Sequence, residues 1–80
     1  MLVLINLWKK NEYEVIYNFG SNEECIDGII RIDLKDINMS TIVKMPSDNS
    51  VYESYDNRAF GKLLKMALNN NLPEKTQYVN

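Results

Sequence analysis

Hydrophobic and polar residues alternate along much of the first 45 positions with the period of two that is typical of β-strands. In residues 2–8, Val3 and Ile5 face one side, and Leu2 and Leu4 face the other. A strand that is apolar on both faces is expected to be well covered by its neighbours. The pattern therefore predicts a first strand over residues 2–8. This segment is too short for a membrane span and lacks the flanks of a signal peptide.

Further β-like runs follow the first strand. Residues 13–19 place aromatic and β-branched side chains on one face, which predicts a hairpin with the first strand. Residues 40–45 also alternate and predict another strand, which Pro46 ends. These runs favour an antiparallel sheet, because their connections are short.

Residues 26–34, between the runs at 13–19 and 40–45, alternate between apolar and charged positions. The even positions are apolar apart from one glycine, whereas most of the odd positions are charged, including Arg31 and Asp33. The pattern predicts a half-buried strand whose ionic side chains face solvent, with Arg31 paired to both Asp27 and Asp33. Asp27 and Gly28 predict a turn or bulge where this strand begins.

Apolar residues recur at helical spacing over residues 51–70, which predicts one long amphipathic helix. Gly61 lies inside it and indicates either a close approach to the sheet or a break into two helices. The three asparagines that follow tolerate the left-handed conformation that ends helices, and Pro73 prevents continuation. The tail either adds a short edge strand through Tyr78 and Val79 or frays.

The order of these elements predicts the fold class. Strands that precede a helix are typical of α+β domains. We therefore predict a single α+β domain over residues 1–80, with an antiparallel sheet of three to four strands and one long C-terminal helix packed on one face.

Charge and cysteine content narrow the functional classes. The chain of 80 residues carries a formal net charge of −2, which makes nucleic acid an unlikely partner. Its single cysteine cannot form an intrachain disulfide, and it contains no histidine. These features favour a cytoplasmic protein that does not associate with membranes and needs no structural zinc.

The sequence contains few residues in arrangements that are suited to catalysis. Cys25 lies among Glu23, Glu24 and Asp27, whose negative charges disfavour a reactive thiolate. The acidic residues do not match the spacing of a calcium loop, and the chain has no glycine-rich motif that would cradle a phosphate. We therefore predict that the protein is not an enzyme and has no catalytic, cofactor-binding or metal-binding residues.

A protein-interaction role fits the pattern better. One helix cannot cover both faces of a sheet, so the remaining apolar and aromatic side chains favour a partner, which is either another protein or a second copy in a homodimer. The candidate interaction residues are Trp8 and the acidic residues Glu23, Glu24 and Asp27. In the alternative, Arg58, Lys62 and Lys65 share one side of the helix and make the protein a small nucleic-acid-associated regulator.

The segments "DGIIRIDL", "NRAFGKLLKMALNNN" and "LPEKTQY" resemble those of small bacterial α+β domains in which strands precede a helix and a Pro-Glu tail. Some of those domains are functionally uncharacterised, and others are immunity proteins that neutralise a companion toxin. The resemblance implies a non-enzymatic inhibitor of this kind. It implies no site residues, because the shared motifs concern packing.

Overall fold

The computed structural model of the chain describes residues 2–21, 23–47 and 53–79, with side chains of the last segment described from Asn57 onward. The described chain forms one sheet of five antiparallel strands in the order β4-β3-β2-β1-β5, and one α-helix. The elements are β1 Leu2–Lys10, β2 Glu14–Gly20, β3 Gly28–Asp33, a 3-10 turn Ile37–Met39, β4 Thr41–Lys44, α1 Glu53–Leu68 and β5 Lys75–Val79.

The core lies between α1 and one face of the sheet. Ala59 and Leu63 of α1 are fully buried there. Strand register places the buried side chains of β1, β2 and β3 on this same face, since directly paired residues share a face. They are Val3, Ile5, Val15, Tyr17, Phe19, Ile30 and Ile32. The inward alternation predicted for the first three strands is confirmed at these positions.

Irregular pairing occurs in β1 and β4. The β1–β2 register shifts between Leu7 and Lys9, which leaves Trp8 as an extra residue. The β3–β4 register shifts between Ile29 and Ile30, and Val43 is the extra residue on β4. Such bulges twist a strand and expose the residue that lacks a partner. Trp8 and Val43 are accordingly 52% and 57% exposed.

A left-handed asparagine follows the helix, as the run of three asparagines predicts. Asn70 adopts the left-handed conformation with φ of 54°. Its N–H donates to the Ala67 carbonyl, and the N–H of Asn71 donates to the Met66 carbonyl at 2.8 Å. These two bonds form a Schellman motif, which satisfies carbonyls at the end of a helix. The chain then reverses towards β1.

Two contacts hold the start of β5 against the sheet. The hydroxyl of Tyr17 donates a hydrogen bond to the Pro73 carbonyl at 2.6 Å, and the N–H of Leu7 donates to the Glu74 carbonyl. Burial raises the pKa of Tyr17 to about 12, because a tyrosinate would lose its hydration there. The tail is therefore an ordered strand that pairs with β1 from Leu2↔Val79 to Asn6↔Lys75.

The predicted fold is wrong in the number of strands and in the helix. The sheet has five strands rather than three to four, because the tail pairs with the outer edge of β1. The helix is therefore not C-terminal, and it ends at Leu68 instead of extending through residue 70. Residues 51 and 52 of the predicted helix lie outside the described residues.

Two predicted roles of glycines are also wrong. The helix continues through Gly61, and beyond its own stretch of helix no atom of the described structure lies within 4 Å of the position of an added Cβ. Gly61 therefore marks neither a helix break nor a close approach to the sheet. Gly28 begins β3 in ordinary register with Phe19 instead of forming a turn or bulge. The glycine is needed there because the Phe19 ring occupies the space of a side chain.

Candidate interaction surfaces

The charged side chains of β3 form a structural ion network. Arg31 Nε lies 2.9 Å from Glu14 Oε1, and Arg31 Nη2 lies 2.9 Å from Asp33 Oδ2. Asp33 Oδ1 also accepts the N–H groups of Lys35 and Asp36. These backbone donors, together with Arg31, hold the pKa of Asp33 below its ordinary value. The predicted surface pairing of Arg31 and Asp33 is confirmed, and it stabilises the turn after β3.

Asp27 links the loop before β3 to the segment that follows β4. Its carboxylate accepts the N–H of Ser47 at 3.0 Å and lies 3.7 Å from Lys44 Nζ. Hydrogen bonding to Ser47 is the largest cause of the lowered pKa of Asp27, and Lys44 adds to it. Asp27 therefore holds the end of β4 against the start of β3. The predicted pairing of Arg31 with Asp27 is wrong, because Asp27 contacts Lys44 and Ser47 instead.

The loop before β3 packs over the end of β2. The Cys25 carbonyl oxygen lies 1.8 Å from the place that a Cβ of Gly20 would occupy. Gly20 pairs with Leu4 and so lies on the sheet face opposite to Val3 and Ile5. The loop thus crosses the face that α1 does not cover, which we call the open face.

A groove of about 640 Å³ lies on the open face between this loop and β5. Leu4 and Ile26 give it apolar surface, and Glu23 and Lys75 give it charges of opposite sign. Asn6 and Gln77 add side-chain amides that both donate and accept hydrogen bonds. In this sheet-face groove, the acidic loop that was predicted to bind a partner lies next to the open face.

The candidate interaction residues are not all brought together. Glu23 lines the sheet-face groove, whereas Asp27 is engaged by Ser47 and Lys44. Glu24 is exposed in the same loop. Trp8 lies four residues from Leu4 along β1, a distance of about 13 Å in an extended strand, and Lys9 Nζ is 4.5 Å from its ring centroid. Trp8 thus belongs to a separate patch at the other end of the sheet.

The basic residues of α1 lie along a second groove, of about 560 Å³, between the helix and β5. Its lining includes Arg58, Gly61, Lys62, Lys65, Asn69 and Tyr78. Lys62 Nζ donates a hydrogen bond to the main-chain carbonyl of Gln77 in β5. The prediction that the three cations share one side of the helix is confirmed for this helix groove.

Residues of the tail contribute to both grooves, and the sequence patterns did not identify them. Lys75 and Gln77 line the sheet-face groove, and Tyr78 lines the helix groove. The strand-favouring residues threonine, tyrosine and valine in "KTQYV" were the available signal. Its length of five residues was too short to distinguish a strand from a frayed end.

No group of three or more His, Cys, Asp or Glu residues in residues 2–21, 23–47 and 53–79 is arranged to hold a metal ion. Within that same part of the chain, no helix combines the length and apolar character of a membrane span.

Comparison of the chain with protein-family models, with curated proteins and with solved structures found no match. The resemblance to small immunity-like domains therefore stays a prediction. The features of this chain that bear on its function are the two grooves and the residues that line them.

Proposed function

We propose that this protein is a non-enzymatic interaction domain that binds a different protein through the sheet-face groove and the open face around it. The observation that carries the proposal is the convergence of Glu23 and Ile26 from the loop with Leu4 and Asn6 of β1 in one groove. A groove with apolar surface and a few directed polar groups is typical of a recognition site.

The chemistry of the groove indicates what the partner presents. An apolar side chain of the partner would pack on Leu4 and Ile26, and a basic side chain would pair with Glu23. Lys75 also lines the groove and carries the charge opposite to that of Glu23. The two charges together favour one orientation of the partner. The amides of Asn6 and Gln77 are suited to the partner's main-chain groups.

The open face favours a different protein over a second copy of this chain. Half-buried Leu4, Ile16 and Ile29 lie on it, but Asn6 and Asn18 interrupt them, as does the ion network around Arg31. Obligate homodimer interfaces are more apolar than ordinary protein surface, whereas interfaces between independent proteins have about the same polarity as that surface. The mixed face therefore suits a partner that binds and dissociates.

In its most specific form, the proposal makes the protein an immunity-type inhibitor. It would act by covering a basic functional surface of its partner, which requires neither a cofactor nor a reactive side chain. The acidic loop with Glu23 and Glu24 supports this form, because it carries negative charge beside the groove.

Binding to a purified partner tests the proposal. A protein that this chain captures from cells would be purified and its Kd measured against the wild type and two groove variants. We expect Glu23→Lys and Ile26→Ser each to weaken binding about tenfold, since one desolvated ion pair or apolar contact contributes about 1.4 kcal/mol or more.

The control is Lys35→Glu, an exposed residue outside the groove, which should leave the Kd within about twofold. Sedimentation of the chain alone is expected to give a monomer. An unchanged Kd in both groove variants would show that the partner does not bind in the sheet-face groove. A homodimer that Glu23→Lys disrupts would show that this surface binds a second copy of the chain instead of a different protein.

The nucleic-acid alternative receives support from one observation only, the grouping of Arg58, Lys62 and Lys65 in the helix groove. The three residues span about 10 Å of helix, enough for only about three phosphate contacts. The net charge of −2 opposes a longer contact with a polyanion. We therefore do not favour this function.

A further inference from the structure

We infer that the free edge of β5, together with the helix groove, is a second binding site that takes an extended acidic peptide segment as a sixth strand. The inference concerns a different surface from the sheet-face groove and does not depend on the proposed function. It rests on the backbone of β5, on the cations of α1 and on the position of Lys62.

Among the described strands, β5 is at one edge of the sheet, and alternate groups of its backbone point away from β1. The N–H of Leu7 donates to the Glu74 carbonyl, and hydrogen-bonded pairs alternate along an antiparallel ladder. The N–H and C=O groups of Thr76 and Tyr78 therefore face β1. Those of Lys75, Gln77 and Val79 face away from it, as an edge that can pair with another strand.

Lys62 contacts this edge from the helix. Its ammonium group donates to the Gln77 carbonyl, which is one of the outward groups. A lysine in this position discourages indiscriminate strand pairing. An incoming strand would replace the ammonium group at this carbonyl with its own N–H, and the released cation would then lie beside the new strand.

The side chains of that strand alternate between the two faces of the sheet. Those on the α1 side would enter the helix groove, where Arg58, Lys62 and Lys65 provide positive charge. Among the groove's lining residues with described side chains, none is acidic. Carboxylates at every second position of the peptide are the complement of this lining.

Charge also argues against a second copy of the chain at this edge. Two β5 strands that pair antiparallel about a two-fold axis would place both helices on the same face of a continuous sheet. The helix groove of each copy would then approach that of the other, and their lysines and arginines would repel. An acidic segment of a different protein meets no such repulsion.

Peptide titration followed by NMR tests the inference. The probe is a capped hexapeptide in which threonine and glutamate alternate, and the counterparts replace glutamate with glutamine or lysine. We expect the glutamate peptide to bind, the lysine peptide not to bind, and the outward N–H groups of Lys75, Gln77 and Val79 to become protected from hydrogen exchange.

Variants of the groove sharpen this test. Lys62→Met and Lys65→Met should each reduce the preference for the glutamate peptide over the glutamine peptide by about threefold, as expected for a partly solvated ion pair. Lys35→Met is the matched control, because this lysine lies outside the groove, next to the Tyr13 ring. It should leave the preference unchanged.

Several results would overturn the inference. One is equal binding of the glutamate and lysine peptides, and another is binding of the glutamate peptide without protection of the three outward N–H groups. A third is equally tight binding of inorganic phosphate or a thymidine oligonucleotide, which would indicate a general anion site. Failure of the glutamate peptide to bind the wild-type chain, when a dispersed NMR spectrum shows that the chain is folded, would also overturn the inference.

Discussion

Among the residues, the three glycines differ in what surrounds them. An added Cβ on Gly20 would lie 1.8 Å from the Cys25 carbonyl oxygen, and one on Gly28 would lie 2.6 Å from Phe19 Cε1 and 2.8 Å from the Phe19 carbonyl oxygen. Both positions therefore need the absence of a side chain. Gly61 instead has open space and weakens the helix through its backbone freedom.

Substitution by alanine should separate these cases. We expect Gly20→Ala and Gly28→Ala to lower the free energy of unfolding by about 1–3 kcal/mol, because backbone atoms must shift. Gly61→Ala should raise it by up to about 1 kcal/mol. Urea denaturation of the three variants provides the measurement, and loss of stability in Gly61→Ala would contradict the continuous, unobstructed helix.

Asp33 makes folding stability dependent on pH. Its pKa is lower in the folded chain than in the unfolded chain, where it is about 3.9. The resulting stabilisation is present above this unfolded value and is lost as the pH falls through the folded value. The Asp36 and Lys35 N–H groups are larger causes of the shift than Arg31.

Two variants test this order of causes. Asp33→Asn should reduce stability at pH 7 and flatten the loss of stability on acidification, measured by urea denaturation from pH 7 to pH 2. Arg31→Gln should keep more of the acid-dependent loss of stability than Asp33→Asn does, because the backbone donors to Asp33 remain. Equal flattening in Arg31→Gln and in Asp33→Asn would instead assign the lowered pKa of Asp33 to the ion pair with Arg31.

Among the elements, β5 depends on a contact that is distant in sequence. The hydroxyl of the buried Tyr17 donates to the Pro73 carbonyl where the chain enters β5. This bond connects β2 to the tail, although 56 positions separate the two residues. It keeps β5 in place beside β1, where β5 lines both grooves.

Removal of the hydroxyl should therefore weaken β5. Tyr17→Phe is expected to cost about 1 kcal/mol in the free energy of unfolding, since the Pro73 carbonyl loses its donor. Hydrogen exchange at Thr76 and Tyr78 should become faster. Tyr13→Phe, at a side chain that is 57% exposed, is the control and should change neither quantity.

The same tyrosine predicts behaviour at alkaline pH. Its pKa of about 12 lies above the unfolded value of about 10, so its contribution is intact below pH 10 and is lost as the pH rises towards 12. Tyr17→Phe should lose less stability over this interval than the wild type. An identical decline in both proteins would contradict the buried position of the hydroxyl.

At the scale of the whole molecule, one helix and one sheet divide the surface into unequal parts. The helix covers the face that carries Ile5, Tyr17 and Ile30, and the open face carries the loop with Glu23. The edge strand β5 separates the sheet-face groove from the helix groove. The two surfaces proposed to bind partners therefore lie close together in a chain of 80 residues. This arrangement would allow two partners to compete for the β5 edge or to share it.

Local patterns were sufficient for the features that depend on neighbouring residues. Alternation predicted the buried positions of β1, β2 and β3 and the outward ions Arg31 and Asp33, because side chains in a strand change face at every residue. Helical spacing predicted the shared side of Arg58, Lys62 and Lys65 for the same kind of reason. The asparagine run likewise predicted the end of α1.

Long-range pairing decided the rest. The number of strands depends on whether the tail pairs with β1, and that pairing is stabilised by residues far apart in the chain, such as Leu4 and Gln77. Both grooves exist only because β5 forms, since Lys75, Gln77 and Tyr78 line them. A five-residue strand carries too little periodic signal to specify its partner, so the β5 edge and the two grooves form only when the sheet assembles.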